Sequence, residues 1–228
     1  MTLTDLSSTI KINFHNDELL KRAFIHRSYL NEAKHLQSSN ERLEFLGDSV
    51  LSFLTSHFLY ERYPDFPEGT LTNIRSSLVK TQSLAEVAKK LDLGNLLQLS
   101  HGEEASGGRQ NSSLLADAFE ALLGAIFLDQ GVETARTFLA TYLFPNAQDI
   151  VDNKSYIDYK SLLQEIIQKE SRVSPTYQVV KSEGPDHAKT FWVEATTGST
   201  VLGNGSGKSK QEAEQMAAAS ALEKIGKT

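Results

Sequence analysis

The chain has 228 residues, is 39% hydrophobic and carries a formal net charge of −6, an acidity that taken alone argues against a nucleic-acid partner. This length and composition suit one large folded domain or two ordinary ones and exclude a disordered chain, and the lack of cysteine excludes disulfides and thiolate metal sites. No apolar run is long enough to cross a bilayer and the polar N-terminus lacks a signal-peptide pattern, so we expect a cytoplasmic protein without a membrane partner.

The first predicted helix begins at Asp17, where apolar residues recur at helical spacing, and it is followed by a turn at His26–Tyr29. No second histidine or cysteine is near His26 in the sequence, so we interpret it as a hydrogen-bonded structural residue and not as a metal ligand. Residues 31–40 are rich in Asn, Gln and Ser and predict a loop.

Residues 41–62 predict a helix with an acidic face. At about 100° per residue, Glu41, Glu44 and Asp48 lie within roughly 60° of one another, while apolar side chains point the opposite way. A charged solvent face and a capping box between Ser38 and Glu41 would explain part of this pattern without any function.

Two further helices are predicted, one that begins at Glu68 after a proline-rich turn and one over Thr81–Leu91. Glu68 favours the helix dipole in the first turn whatever else it does. The glycine-rich stretch Gly102–Asn111 predicts a loop in front of the next helix, and Arg109 within it is either a phosphate contact or a solvated loop residue.

Residues 114–128 predict a buried helix whose only charged residues, Asp117 and Glu120, lie one turn apart on the same face. Buried carboxylates are costly without a positive partner, and two of them raise each other's pKa. No Lys or Arg lies within a turn of either, so the partner is a distant basic residue or a metal ion. Oxygen ligands suit Mg²⁺ or Mn²⁺. We therefore pair this helix with the helix at 41–62 around one metal site.

After Gly131 one more helix is predicted, and we divide the chain into a domain of residues 1–147, a linker at 148–156 and a domain of residues 157–228. The second domain has the predicted order α-β-β-β-α. The predicted elements are Tyr159–Lys169, Thr176–Lys181, Thr190–Thr196, Ser199–Gly203 and Lys210–Ile225.

The charge of the chain is unevenly distributed. Residues 154–228 hold 10 Lys and Arg against 9 Asp and Glu, so the first 153 residues carry the acidity. The stretch Gly203–Lys210 brings flexible backbone, two lysines and a helix N-terminus together, which predicts an anion site. Taken alone this signal is weak, because Gly-Ser stretches before helices are common.

With these motifs in view, the chain resembles bacterial ribonuclease III over nearly its whole length. The nuclease part of the resemblance is carried by NERLEFLGDS at 40–49, HRSY at 26–29, PEG at 67–69 and LADAFEAL at 115–122. The C-terminal part resembles a double-stranded RNA-binding domain through GSGKSK at 205–210 and EAEQMAA at 212–218.

This resemblance implies an all-α endonuclease domain followed by an α+β RNA-binding domain, in a homodimer whose two sites line a valley for duplex RNA. The implied enzyme hydrolyses phosphodiester bonds of double-stranded RNA and leaves 5′-phosphate and 3′-hydroxyl ends with short 3′ overhangs. Its implied substrates are rRNA precursors and other RNAs, including mRNA. The implied cofactor is Mg²⁺, with Mn²⁺ as a substitute, and we expect two ions.

The resemblance also assigns roles residue by residue. The implied metal ligands are Glu44, Asp48, Asp117 and Glu120, of which Asp48 and Glu120 are implied as catalytic and Glu120 as the most critical. The implied accessory acidic residues are Glu41 and Glu68.

For RNA binding, the resemblance implies shape recognition of the duplex. Gln164 and Glu165 would reach one minor groove, although a solvated helix face explains them equally well without the family. His187, in the loop 184–187, would reach the next groove, and Lys208 and Lys210 the phosphates between. The family usually has a Lys-Lys pair where this chain has Lys210-Gln211, a difference that bears on affinity.

Two other functions account for parts of the chain. A catalytically silent protein that binds double-stranded RNA would keep the C-terminal domain and lose the four carboxylates, all of which are present here. A metal hydrolase of a small phosphorylated metabolite would explain the first domain but would not need the second.

Overall fold

The computed structural model describes residues 1–185 and 188–226, without the side chains of residues 170 and 171. It divides into two compact units, Met1–Tyr156 and Ile157–Thr228. The first unit is helical and the second has the order α-β-β-β-α, which confirms the fold class that the sequence predicts. None of the helices in the described ranges combines the length and apolar character that a bilayer span requires.

The first unit contains eight α-helices within the described residues, connected by short loops and three single 3₁₀ turns. They are α1 Leu3–Ile10, α2 Asp17–Ala23, α3 Glu41–Arg62, α4 Glu68–Val79, α5 Thr81–Lys90, α6 His101–Ala105, α7 Ser112–Tyr142 and α8 Asn146–Asp152.

The core of this unit is built on the crossing of α3 and α7, which two glycines bring into backbone contact. A Cβ added at Gly47 in α3 would lie 1.8 Å from the backbone oxygen of Glu120, and one added at Gly124 in α7 would lie 2.2 Å from that of Leu43. Leu51, one turn after Gly47 in α3, is fully buried in the core of this unit. The crossing therefore sets how the acidic residues of the two helices meet.

The long helix α7 changes direction at Gly131, which has φ 81° and ψ −175°, a conformation that glycine adopts readily. Just before this point the carboxylate of Asp129 accepts hydrogen bonds from the backbone nitrogens of His15 (2.8 Å) and Asn16 (2.9 Å) and from Nε2 of Gln130 (2.9 Å). Through these hydrogen bonds, Asp129 holds the N-terminus of α2 against α7 just before the change of direction.

Two expectations for this unit are corrected by the structure. The stretch 102–111 is not a simple loop, because Ser100 caps α6 by accepting from the backbone nitrogen of Glu103, and a 3₁₀ turn follows. Residues 148–156 are not a free linker, because α8 continues to Asp152 and the apolar side chains at 150, 151 and 156 pack against the core.

The second unit is a three-stranded antiparallel sheet covered by two helices. Its elements are α9 Tyr159–Ser171, β1 Thr176–Glu183, β2 Thr190–Thr197, β3 Thr200–Gly207 and α10 Lys210–Lys224, with strand order β1-β2-β3. The register aligns Val179, Val193 and Gly205 across the sheet. Leu163 of α9 and Val193 of β2 are buried in its core.

The sequence predicts flexible backbone after the strand Ser199–Gly203, but in the structure Gly205 and Gly207 belong to β3 as Gly203 does. Every second residue at this end of the strand is glycine, and every fourth residue of the facing helix α10 is alanine. A Cβ at Gly203, Gly205 or Gly207 would lie 2.4, 2.1 or 2.7 Å from the backbone nitrogen of Ala221, Ala217 or Ala213, respectively. These glycines are therefore required by close packing of strand against helix, and the expectation of flexible backbone at this point is wrong.

Candidate functional site

The acidic helix α3 begins next to the segment that follows α2. The backbone nitrogen of Asn40 donates to the carbonyl of Ile25 (2.8 Å), and its Nδ2 donates to the carbonyl of Ala23 (3.3 Å). The capping box considered between Ser38 and Glu41 does not form, since Glu41 instead accepts from Oγ of Ser39 at 2.8 Å. Tertiary contacts thus position the first turn of α3.

Three of the four implied metal ligands meet at the crossing of α3 and α7. Glu44, Asp117 and Glu120 each offer one carboxylate oxygen, and these atoms all lie within 4.8 Å of one another. Asp48 follows one turn after Glu44 and is exposed. It is not a member of this group, although its charge acts on both Glu44 and Glu120.

The site concentrates negative charge in a half-buried place. Burial raises the pKa of Glu120, and the neighbouring carboxylates add to the effect, so that it reaches about 8. The contributing charges, in decreasing order, are those of Asp48, Asp117 and Glu44. Without a cation, Glu120 therefore keeps its proton at neutral pH.

The pKa values of the other two carboxylates of the group are also raised. Burial, and then the charge of Asp117, raise the pKa of Glu44, against a smaller opposing effect of Arg27. Burial likewise raises the pKa of Asp117, which His26 and Arg27 counteract. The sequence predicts that Asp117 and Glu120 are buried, whereas in the structure both are only partly buried.

The sequence alone does not decide whether a distant basic residue or a metal ion neutralises these carboxylates. Among the residues that the structure describes, no Lys or Arg forms an ion pair with Glu44, Asp48, Asp117 or Glu120. Arg27 instead pairs with Glu41 at 3.8 Å, with 72% of its side chain exposed. A half-buried set of oxygen donors of this kind fits a hard divalent cation such as Mg²⁺.

The two accessory acidic residues lie outside the group of three. Glu41 is exposed and contacts Ser39 and Arg27. Glu68 is exposed in the first turn of α4, where its Oε1 accepts from Oγ1 of Thr72 at 3.0 Å.

Arg109 has a role that neither of the two sequence interpretations included. Its Nη1 donates to the carbonyls of Gly94 (3.0 Å) and Leu97 (2.8 Å), and its Nε donates to Oε1 of Glu104 (2.7 Å). The guanidinium thus holds the 94–97 turn against α6. These contacts favour a structural role over a phosphate contact, and no local sequence signal could have revealed them.

The expected RNA-binding residues of the second unit lie on its surface. Gln164 and Glu165 are exposed on α9, and a hydrogen bond from Lys169 at 2.7 Å lowers the pKa of Glu165. Lys208 and Lys210 are exposed on either side of Ser209, the N-cap of α10. His187 lies outside the described residues.

The residues that position the site were missed by reasoning from sequence. Gly47 and Gly124 bring the helices together, and Asn40 fixes the start of α3. The only available signal was the occurrence of glycine inside two otherwise well-formed helices, where it is destabilising unless another backbone comes close.

Residues 16–147 match the family described as Ribonuclease-III-like, and residues 159–225 match the double-stranded RNA binding motif. Ribonuclease 3 of Enterococcus faecalis is 46% identical over 223 residues, which cover 97% of this chain and 96% of that protein. Ribonuclease 3 of Desulforamulus reducens is 48% identical over 227 residues, covering 98% and 92%.

Among solved structures, the nuclease domain of ribonuclease III from Campylobacter jejuni is similar to the first unit. It has a TM-score of 0.59 and 36% identity, and the match covers 63% of this chain and 97% of that one. That structure is described as showing flexibility in a region involved in dimer formation.

Proposed function

The chain belongs to the ribonuclease III family and is an endoribonuclease specific for double-stranded RNA, and from this premise we propose that it cuts by divalent-metal catalysis. The proposed ligands are Glu44, Asp48, Asp117 and Glu120, with Asp48 and Glu120 as catalytic residues. The observation that carries the proposal is the meeting of three carboxylates within 4.8 Å without a basic side chain paired to them among the described residues.

The proposed cofactor is Mg²⁺, which Mn²⁺ can replace. When bound, such ions activate water, neutralise the phosphate and stabilise the leaving oxygen of a phosphodiester. The chain itself holds the ligands at the distance set by the glycine contact between α3 and α7. Burial and the neighbouring carboxylates raise the pKa of its Glu120 to about 8, so a cation held by this residue would favour loss of the proton from the Glu120 carboxyl oxygen. Glu41 and Glu68 are proposed to add negative charge near the site.

The second unit is proposed to hold the duplex for cleavage. Gln164 and Glu165 on α9 and the exposed Lys208 and Lys210 before and at the start of α10 are suited to minor-groove and phosphate contacts over about 16 base pairs. Arg109 is left out of this surface because its guanidinium is committed to Gly94, Leu97 and Glu104.

We also propose that the active form is a homodimer. Exposed aromatic side chains follow one another along one side of α3: Phe45 is 77%, Phe53 58% and Tyr60 75% exposed. At about 100° per residue they lie within roughly 80° of one another. Exposed apolar surface of this kind is typical of a protein interface, and a second copy of the chain is the proposed occupant.

The proposed products are ends with a 5′-phosphate, a 3′-hydroxyl and a short 3′ overhang. The proposed cellular substrates are rRNA precursors and other structured RNAs, including mRNA, in the cytoplasm. The alternative of a silent RNA-binding protein is not supported, because all four carboxylates are retained. A hydrolase of small phosphorylated metabolites would leave the double-stranded RNA binding motif without a use.

The test is incubation of the purified full chain with a long RNA duplex, with Mg²⁺ and with a chelator. We expect cleavage only with Mg²⁺, into duplexes whose ends are ligatable as 5′-phosphates, and no cleavage of a single strand of the same sequence. Equal cleavage in the presence of the chelator would refute the metal mechanism. Sedimentation equilibrium of the same preparation is expected to give twice the monomer mass.

A further inference from the structure

In the second unit, the first turn of α9 is joined to the middle of α10 by polar side chains. Nζ of Lys160 lies 2.5 Å from Oε2 of Glu214. Next to this ion pair, the backbone nitrogen of Lys160 donates to Oε1 of Gln215 (3.3 Å), and Nε2 of Gln215 donates to Oδ1 of Asp158 (2.8 Å). Asp158 is the N-cap of α9, so α10 contacts α9 at the residues where α9 begins.

The ion pair is partly withdrawn from solvent. The side chain of Lys160 is 34% exposed and that of Glu214 is 26% exposed, and the ammonium also lies 4.8 Å from the centroid of the Tyr177 ring in β1. Charges that are shielded from water attract each other more strongly than charges on an open surface, and the face of an aromatic ring adds a favourable contact for a cation. The pair therefore holds a more defined geometry than the exposed pair of Lys169 and Glu165 on the surface of α9.

The apolar surface of α10 does not by itself fix how far along it α9 lies. The buried residues of α10 are all alanines apart from Leu222, and the side chain of alanine is too short to interlock deeply with a neighbouring helix. An ionic pair between packed helices can fix their register, because a shift along the axis would separate the two charges. The pair of Lys160 and Glu214 is suited to this task.

Each member of the pair lies one helical turn from an expected RNA contact. Gln164 follows Lys160 by one turn in α9, and Lys210 precedes Glu214 by one turn in α10. Residues four apart in a helix occupy the same face, about 6 Å from each other along the axis. The pair therefore joins the helix face that carries Gln164 to the helix face that carries Lys210.

We propose that Lys160 and Glu214 are positioning residues, which set the distance between the minor-groove contact of Gln164 and the phosphate contact of Lys210. This inference rests on the proposed function, in which Gln164 and Lys210 contact the duplex. Because the spacing between a minor groove and the neighbouring phosphates is fixed in A-form RNA, a surface that recognises shape needs its two contacts at a matching, fixed distance. Fixing that distance before RNA arrives also reduces the ordering cost of binding.

Charge reversal separates this role from a general effect of charge. Glu214→Lys breaks the pair and makes the unit more positive, so charge alone would tighten RNA binding. We expect the opposite, a loss of affinity of about 2- to 10-fold, the equivalent of one hydrogen bond. The matched control is Glu223→Lys, which makes the same change of charge at an exposed residue of α10; it should bind as tightly as the unmodified chain or more tightly. The double variant with Lys160→Glu and Glu214→Lys has the original net charge and a reversed pair, and it should recover most of the loss.

Affinity is measured on the full chain by fluorescence anisotropy of a labelled duplex of about 16 base pairs, in the presence of a chelator. Circular dichroism at the same temperature shows whether each variant is folded. Val193→Ala is the control for stability, because it removes volume from the buried core of the same unit and leaves both charges in place; it should lower the melting temperature and leave affinity unchanged. If Glu214→Lys bound RNA like Glu223→Lys, or if the reversed pair recovered nothing, the positioning role would be refuted.

A second measurement requires no substitution. In ¹H–¹⁵N spectra of the lysine ammonium groups, addition of the duplex should shift the signal of Lys210 and leave that of Lys160 unchanged, because Lys160 stays paired with Glu214. A shift of Lys160 as large as that of Lys210 would make it a phosphate contact and overturn the inference, even if Glu214→Lys fails to fold.

Lys210→Ala separates this inference from the proposed function. If Lys210→Ala weakens RNA binding and Glu214→Lys does not, the proposed RNA surface stands and the positioning role is refuted. If Lys210→Ala binds RNA normally, both are refuted.

Discussion

Replacement of Gly47 by alanine tests whether the contact between α3 and α7 sets the geometry of the site. The added Cβ would lie 1.8 Å from the backbone oxygen of Glu120, whereas real Cβ atoms essentially never approach below 3.0 Å. The two helices must therefore separate by about 1.2 Å at this point, since a backbone atom in a packed interior has no room to yield. Glu44 would move away from Asp117 and Glu120 by a similar distance.

The size of the effect follows from this displacement. Overpacking of a core costs about 1–3 kcal/mol in the free energy of unfolding, and a catalytic group misplaced by about 1 Å can reduce the rate roughly 100-fold. Urea unfolding followed by circular dichroism measures the first quantity. Cleavage of a labelled RNA duplex at saturating Mg²⁺ measures the second.

The matched control is Gly102→Ala. Gly102 is also a helical glycine, in α6, but a Cβ there meets nothing within 4 Å, so we expect stability to be unchanged or increased by about 0.4–1 kcal/mol. If Gly47→Ala were as stable and as active as the unmodified chain, the argument that this contact positions the carboxylates would be wrong.

Three further outcomes are expected. Glu120→Gln should bind duplex RNA normally in a filter assay and fail to cleave it, because only a ligand for the metal is removed; full cleavage in Mg²⁺ would contradict its assignment. Lys210→Ala should weaken binding to all duplexes alike and reduce the slope of log binding constant against log salt concentration by about 1. The control Lys224→Ala, at the other end of α10, should leave binding unchanged. A sequence-selective loss in Lys210→Ala would count against a phosphate contact. Asp129→Asn should lower the free energy of unfolding by about 1–3 kcal/mol. Burial raises the pKa of Asp129, but the hydrogen bonds to its carboxylate together outweigh burial, so that the pKa is lowered. The stabilisation by Asp129 is therefore present above its unfolded pKa and is lost as the pH falls through its folded pKa. If the difference in free energy of unfolding between the unmodified chain and the variant increased toward acid pH, this assignment would be refuted.

Local patterns were sufficient for most of the secondary structure. The helix at 41–62 and the α-β-β-β-α order of the second unit follow from apolar periodicity and from breakers such as Pro64, which act over a few residues. The local pattern gave a wrong prediction at 148–156, where a linker was expected, and at 204–207, where flexible backbone was expected in place of a strand. In both places the outcome depends on a distant partner, the core of the first unit or the alanines of α10, that a local pattern does not contain.

The candidate site divides in the same way. The sequence by itself determined which carboxylates to consider, because Asp117 and Glu120 are the only charges in an apolar helix and the acidic face of 41–62 recurs at helical spacing. Only the tertiary structure decided that Glu44, Asp117 and Glu120 meet while Asp48 stays exposed, and that Arg109 serves the fold. The physical reason is that a helix pattern specifies which face a side chain occupies, whereas the distance between two helices depends on the residues at their crossing, here Gly47 and Gly124.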